Sequence, residues 1–215
     1  MLVIDVDAVA KLAHWSILPL LPELTGCGWD EIGTVSSLTH RARRAVSTPD
    51  GKLFRTSVAA TAALDAISRM RANLEGPSDE VLDELSASNQ IDSGEAVLLA
   101  TIANDPHGRF LTGDKRALRA LAGLDCARQF AGKIMMVEHI VWLCLEAKGR
   151  DWLLQNVCPA RDADQAISMI LGSRCDASLD SLREGILSYI REIAALHNPS
   201  LIVDLPSNRP KTART

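Results

Sequence analysis

Three acidic motifs, far apart in the chain, each adjoin a run that reads as a strand or a buried helix. They are Leu2-Val3-Ile4-Asp5-Val6-Asp7, Ile91-Asp92-Ser93-Gly94-Glu95-Ala96 and Phe110-Leu111-Thr112-Gly113-Asp114-Lys115. A carboxylate that ends an apolar strand of an α/β sheet sits in the crevice outside the carboxyl ends of the strands, where such folds place their ligands. Several carboxylates gathered there repel one another unless a hard cation lies between them. The pattern therefore predicts an α/β fold with a Mg²⁺ or Mn²⁺ site and metal-assisted phosphoryl chemistry.

A chain of 215 residues accommodates one α/β domain with additional helices around a single core. The net charge of −4 provides no global basic field for nucleic acid, so any such partner must be held by local patches. Five cysteines, scattered and without a C-x-x-C pair, argue against a disulfide framework or a zinc site, and predict reduced, mostly buried thiols. Asp5 and Asp7 interrupt the N-terminal apolar run, and no uncharged stretch approaches the roughly 18 residues that span a bilayer. A cytoplasmic protein with no membrane partner is expected.

Periodicity and punctuation predict alternating strands and helices, with helix in excess. Residues 2–4 read as a strand and 8–12 as a helix, so the turn between them presents Asp5 and Asp7. A helix is predicted over 34–46, ending in Arg41, Arg43 and Arg44. The helix dipole explains cations there, and phosphate contact is the alternative. Residues 47–52 form a turn, 57–73 a helix ended by 75–77, and Ser78 a fresh N-cap. Ser93 caps a helix that stops at Asp105-Pro106, with Glu95 in its first turn. Strands follow at 109–112 and 134–137, and helices at 115–121, 138–148 (ended by Gly149), 162–171 and 179–197. The basic tail 206–215 is expected to be disordered.

Taken together, Val3-Ile4-Asp5-Val6-Asp7, the run from Asp92 to Ala100 and the run from Leu111 to Leu118 resemble the signature blocks of PIN domains. The stretch Val141-Trp142-Leu143-Cys144-Leu145-Glu146-Ala147-Lys148-Gly149 is similar to the helix that follows the last acidic block in that family. The resemblance covers residues 1–155. It implies a three-layer α/β/α fold with a central parallel sheet, and a Mg²⁺- or Mn²⁺-dependent ribonuclease acting on single-stranded RNA. Carried over by position, Asp5, Glu95 and Asp114 are the catalytic metal ligands, with Asp7 and Asp92 as supplementary ones. Thr112 matches a polar position beside the site, and Lys115 and Arg116 are placed to hold substrate backbone. The metal would lower the pKa of a bound water that attacks phosphorus in line. An antitoxin protein and a homodimeric partner are further implications of the family. The chain departs from the pattern in one respect: the block from Val35 to His40 carries no acid where the family usually has one. Either Asp7 or Asp92 substitutes, or the site is weakened to one metal or none.

Two rival readings remain. Asp5-Val6-Asp7-Ala8-Val9 and Thr112-Gly113-Asp114 also resemble haloacid dehalogenase-like phosphatases, with Asp5 as covalent nucleophile and Asp7 as acid/base. That reading gives Glu95 no role. The absent acid motivates the other, a PIN-like scaffold that binds RNA or protein without cutting. The five histidines show no metal-ligand spacing, and the four tryptophans read as core or interface residues. Residues 156–205 are expected as a helical extension packed back on the domain.

Overall fold

The computed structural model describes residues 1–72, 74 and 76–205. Asn73 and Glu75, at the predicted end of the second long helix, and the tail 206–215 lie outside the described residues. The chain is α/β and mostly helical, around a small sheet of four parallel strands: β1 (Leu2–Ile4), β2 (Ile32–Gly33), β3 (Arg109–Thr112) and β4 (Ile134–Met136). Their order is β2-β1-β3-β4. β1, the inner halves of its neighbours and β4 are fully buried, which is why they read as short continuous apolar runs without alternation.

The helices are α1 (Val6–His14), α2 (Leu21–Thr25), α3 (Ser37–Ser47), α4 (Ser57–Arg69), α5 (Asp79–Ser86), α6 (Ser93–Ile102), α7 (Lys115–Leu121), α8 (Val137–Lys148), α9 (Arg150–Val157), α10 (Gln165–Leu171) and α11 (Leu179–Ala194). From β1 the chain runs to β2 on one side, and then through α3 to α6 to β3 on the other. The strand order thus reverses between β1 and β3, and a crevice opens at such a switch point. Leu2, Val3 and Ile4 pair in register with Arg109, Phe110 and Leu111. The chain leaves both strands at the same edge, towards Asp5 and Asp114.

The segment from α9 onward packs back on this unit. Trp15, fully buried, donates from Nε1 to the Ala160 carbonyl (2.9 Å). Leu201 and Ile202 lie along the free edge of β4, with the Ile134 amide donating to Leu201 (2.9 Å) and the Val203 amide to Ile134 (2.9 Å). That edge is covered, which removes a row of open backbone groups. His139, also buried, accepts from the Met136 amide at Nδ1 (3.1 Å), and its Nε2 meets the Val203 carbonyl (3.2 Å). Burial lowers its pKa to about 4, so a neutral ring clips the C-terminal segment to α8.

Several expectations are revised. Asp92, not Ser93, caps α6: its Oδ1 accepts from the Glu95 amide (2.8 Å), while Glu95 Oε2 accepts from the Asp92 amide (3.1 Å). This reciprocal capping box satisfies two free helix-end donors, which a serine one residue later could not reach. The helix predicted over 162–171 begins as a 3₁₀ segment, Cys158–Ala163, and becomes α-helical only after Asp164 caps it. Cys158 and Cys175, expected to be thiols, form a disulfide, while Cys27, Cys126 and Cys144 are free. The turn from α9 into α10 brings the pair to a Cα separation of 6.2 Å, a proximity that a separation of 17 residues does not disclose.

One buried ion pair joins the extension to α1. Lys11 Nζ lies 2.6 Å from Asp7 Oδ2 and 2.8 Å from Asp164 Oδ2, and Lys11 and Asp164 are both buried. Burial disfavours the Lys11 charge, but Asp164 and then Asp7 outweigh it and its pKa is raised. Removing one member of a buried pair strands the other. Lys11→Met is therefore expected to lower the unfolding free energy by about 3 kcal/mol, read as a shift of the urea midpoint; an unchanged midpoint would deny the pair its structural role.

Candidate functional site

A cleft of about 770 Å³ opens beyond the carboxyl ends of β1 and β3, lined by Asp5, Asp7, Asp92, Glu95 and Asp114. Each acid arrives by a different local device. Asp5 is the N-cap residue of α1, and its amide donates to the Leu111 carbonyl of β3 (2.9 Å). Asp92 and Glu95 are held by the capping box of α6. Asp114 caps α7, where its Oδ1 accepts from the amides of Arg116 (2.7 Å) and Ala117 (3.2 Å). Between β3 and Asp114, Gly113 passes so close to Lys11 that a Cβ would stand 2.7 Å from Nζ. A larger residue there would have to displace the end of the Lys11 side chain and crowd Val137.

The sequence places all five acids in one site, and the fold brings all five together. The other three predicted contacts fare differently. Thr112 is fully buried, and its hydroxyl accepts from the Asp114 amide (3.0 Å). It holds the acidic turn and does not face a substrate. Lys115 points away from the acids to Glu138, with Nζ 2.5 Å from Oε1. Glu138 is fully buried at the start of α8, and neither carboxylate oxygen has a hydrogen-bond donor in proper geometry. Lys115 is thus committed to neutralising that charge. Arg116 does line the cleft, exposed and paired with Asp114 Oδ2 (2.8 Å).

Two cations that the sequence did not single out as site residues also line the cleft, Arg41 from α3 and Lys52 from the following loop. Arg41 belongs to the basic helix end noted in the sequence. Lys52 sits in a turn whose backbone amides bond Asp50 Oδ1, and no sequence signal aims it at the acids. Arg41 stands on the helix whose block lacks the expected acid.

The electrostatics are those of a site short of positive charge. Burial, then Asp7 and Asp92, push the Asp5 carboxyl up to about 7. Burial, then Asp5, push Glu95 up to about 8, with Asp92 and Asp114 adding to the effect. Burial would raise Asp114 too, but the Arg116 side chain and the Ala117 and Arg116 amides outweigh it and hold its carboxyl below the usual range. An all-oxygen donor set with two carboxyls pushed up by burial and by their acidic neighbours suits a hard divalent ion, which would relieve the repulsion among them. Among the described residues no three His, Cys, Asp or Glu side chains are gathered into a ready-made cage. Mg²⁺ requires none, because it keeps several waters and binds through one or two carboxylates together with substrate phosphate.

Comparison with family models, with curated proteins and with solved structures gives no match to this chain.

The raised carboxyls set a pH dependence. A carboxyl with a higher pKa in the folded state than in the unfolded chain binds its proton preferentially in the native form. Its contribution is present at low pH and is lost as pH rises from about 4 through about 8. Asp5→Asn should therefore raise the melting temperature of metal-free protein by several degrees at pH 8 and change it little at pH 5. Mn²⁺ should stabilise the wild type more at pH 8 than at pH 5. Parallel melting curves for both proteins across that range would reject this account of the cluster.

Proposed function

We propose that the chain is a divalent-metal-dependent ribonuclease of PIN-like architecture, cleaving single-stranded RNA through a metal-activated water. In this reading the parallel sheet is the centre of a three-layer α/β/α domain spanning residues 1–155, with 156–205 packed on it. The observation that carries it is the convergence of Asp5, Asp92, Glu95 and Asp114 from three separate parts of the chain into one cleft at the β1/β3 switch point. A phosphatase using Asp5, Asp7 and Asp114 gives Asp92 and Glu95 no task, and Asp7 is occupied by Lys11. A cytoplasmic location, an antitoxin partner and a homodimer belong to the same proposal.

Asp5, Glu95 and Asp114 would hold the ion, with Asp92 fixing Glu95 through the capping box and Asp7 at the rim. When bound, Mg²⁺ or Mn²⁺ supplies a low-pKa water and neutralises the phosphate. The protein's own part is to exclude solvent from Asp5 and Glu95, to hold Asp114 ionised through Arg116 and the α7 amides, and to meet phosphate oxygens with Arg41, Lys52 and Arg116. Those three cations line the same cleft as the acids, so an anionic strand gains contacts beside the repelling carboxylates.

One observation favours a second reading, a binding scaffold without cleavage: Arg41 and Lys52 stand in the cleft where a further acid would strengthen metal binding. Cleavage of generic single-stranded RNA in Mg²⁺ and Mn²⁺ separates the two. Asp5→Asn and Asp114→Asn should each lower the rate by on the order of 10²–10³-fold, the scale for losing one charge-stabilising group, with circular dichroism unchanged. RNA that binds but stays intact in both metals would favour the scaffold; hydrolysis of a small phosphate ester in its place would favour the phosphatase.

A further inference from the structure

Beside the acidic cleft lies a second cavity of about 550 Å³ between α3, α4 and the strand end at β2, within the 300–1,000 Å³ range of small-ligand sites. α3 is the partition between them. Ser37 and Arg41, four residues apart, face the acidic cleft. Ser36, Thr39 and Arg43, at i, i+3 and i+7, face the second cavity. Residues at these spacings share one side of a helix, so one helix presents a different polar stripe to each space. Val35 lines both, which makes the two spaces neighbours.

The linings have opposite character. The first is dominated by carboxylates. Among the described residues that line the second there is no acid; it has two arginines, four hydroxyls (Thr34, Ser36, Thr39 and Ser68) and an apolar floor that includes Leu64, Ile67 and Met70. Ser36 and Ser68 are exposed, and the Ser68 hydroxyl donates to the Asp65 carbonyl (2.7 Å). Thr34 Oγ1 has no hydrogen-bond partner and is closed off within the wall. Ser36, at the start of α3, makes no side-chain capping bond. Arg43 is exposed and forms no ion pair with any described residue. Arg71, on the far wall, is already engaged, in part with the Met1 sulfur, and nothing here rests on it.

We propose that this cavity binds one nucleotide of a single-stranded nucleic acid, with the Arg43 guanidinium on a phosphate, the Ser36 and Thr39 hydroxyls beside it, and the apolar floor against the base. The assignment rests on the nuclease reading for its place along the substrate: a strand lying across the carboxylate cleft would pass over Val35 into it. The chemistry of the lining is independent of that reading. A guanidinium matches phosphate, hydroxyls on the same side of the helix match phosphate and ribose oxygens, and the described lining residues add no acid to repel them.

The test is a heteronuclear NMR titration of the full-length protein with AMP, GMP, CMP and UMP, each in EDTA so that the acidic site has no metal. Saturable shifts of the Val35, Ser36 and Ser68 amides are expected, with affinity at least about tenfold weaker in Arg43→Ala, the loss typical of a charge-assisted hydrogen bond. Asp5→Asn should leave this binding unchanged. On single-stranded RNA, Arg43→Ala should raise KM at least about tenfold and preserve kcat. No saturable shift with any nucleotide, or shifts that persist unweakened in Arg43→Ala, would overturn the proposal. So would a wild-type KM in a cleaving Arg43→Ala protein. If no RNA is cleaved by the wild type, the nuclease reading fails by itself, and the titration still decides whether the cavity takes a nucleotide.

Discussion

Asp5 donates its amide to the carbonyl of Leu111, extending by one residue the parallel ladder that joins β1 to β3. That register is the constraint on which the site depends. It puts the residues following two central strands side by side at one edge, at the point where the strand order reverses. A shift of one residue would reverse the facing of every side chain on the slipped strand and carry Asp5 away from Asp114. Because Leu2, Val3, Ile4, Phe110 and Leu111 are all fully buried, the apolar core enforces this register, and the price of gathering like charges at its end is met by burial elsewhere.

The charges around this edge are sorted into two groups by packing. On one side, Lys11 serves Asp7 and Asp164, and Lys115 serves Glu138, so that each buried cation has an assigned acid. On the other, Asp5 and Glu95 have one another and Asp92 for neighbours and no internal cation, and their carboxyls rise. The fold therefore neutralises Asp164 and Glu138, which hold it together, pairs Asp7 and Asp114 at the cleft with Lys11 and Arg116, and leaves the buried Asp5 and Glu95 of the cleft without a cation. The extension beyond α8 takes part in this sorting through Asp164, which gives it a structural connection to the site edge as well as to the sheet edge that Leu201 and Ile202 cover.

Much of the architecture was legible because it depends on local patterns. β1 and β3 were readable to the residue as short apolar runs ending at polar turns, and α7 as a periodic run behind Asp114. α8 ends at Gly149, whose φ of 84° is the left-handed conformation that a C-terminal glycine announces. β2 was not legible: Ile32–Gly33 is too short to carry a period, and exists as a strand only because β1 is there to pair with it. The segment at Leu201 and Ile202 is similar, since an edge pairing depends on what it meets. Lys11 and Glu138 were also hidden, because an isolated Lys or Glu on a helix normally reads as a solvated side chain and becomes buried only when a partner arrives from a distant segment.

The sequence by itself determined the type of the longer elements, the acidic residues Asp5, Asp92, Glu95 and Asp114, and their positions at element starts, all of which follow from hydrophobic runs and from carboxylates next to helix N-termini. Only the tertiary structure decided how the four lie in one cleft, that Arg41 and Lys52 join them, that Thr112 and Lys115 turn inward, and that Ser36, Thr39 and Arg43 face a separate cavity with no acid among its described lining residues. Those outcomes rest on contacts between residues tens of positions apart. Such contacts are selected by packing and by the pairing of buried charge, which have no local signature in the chain.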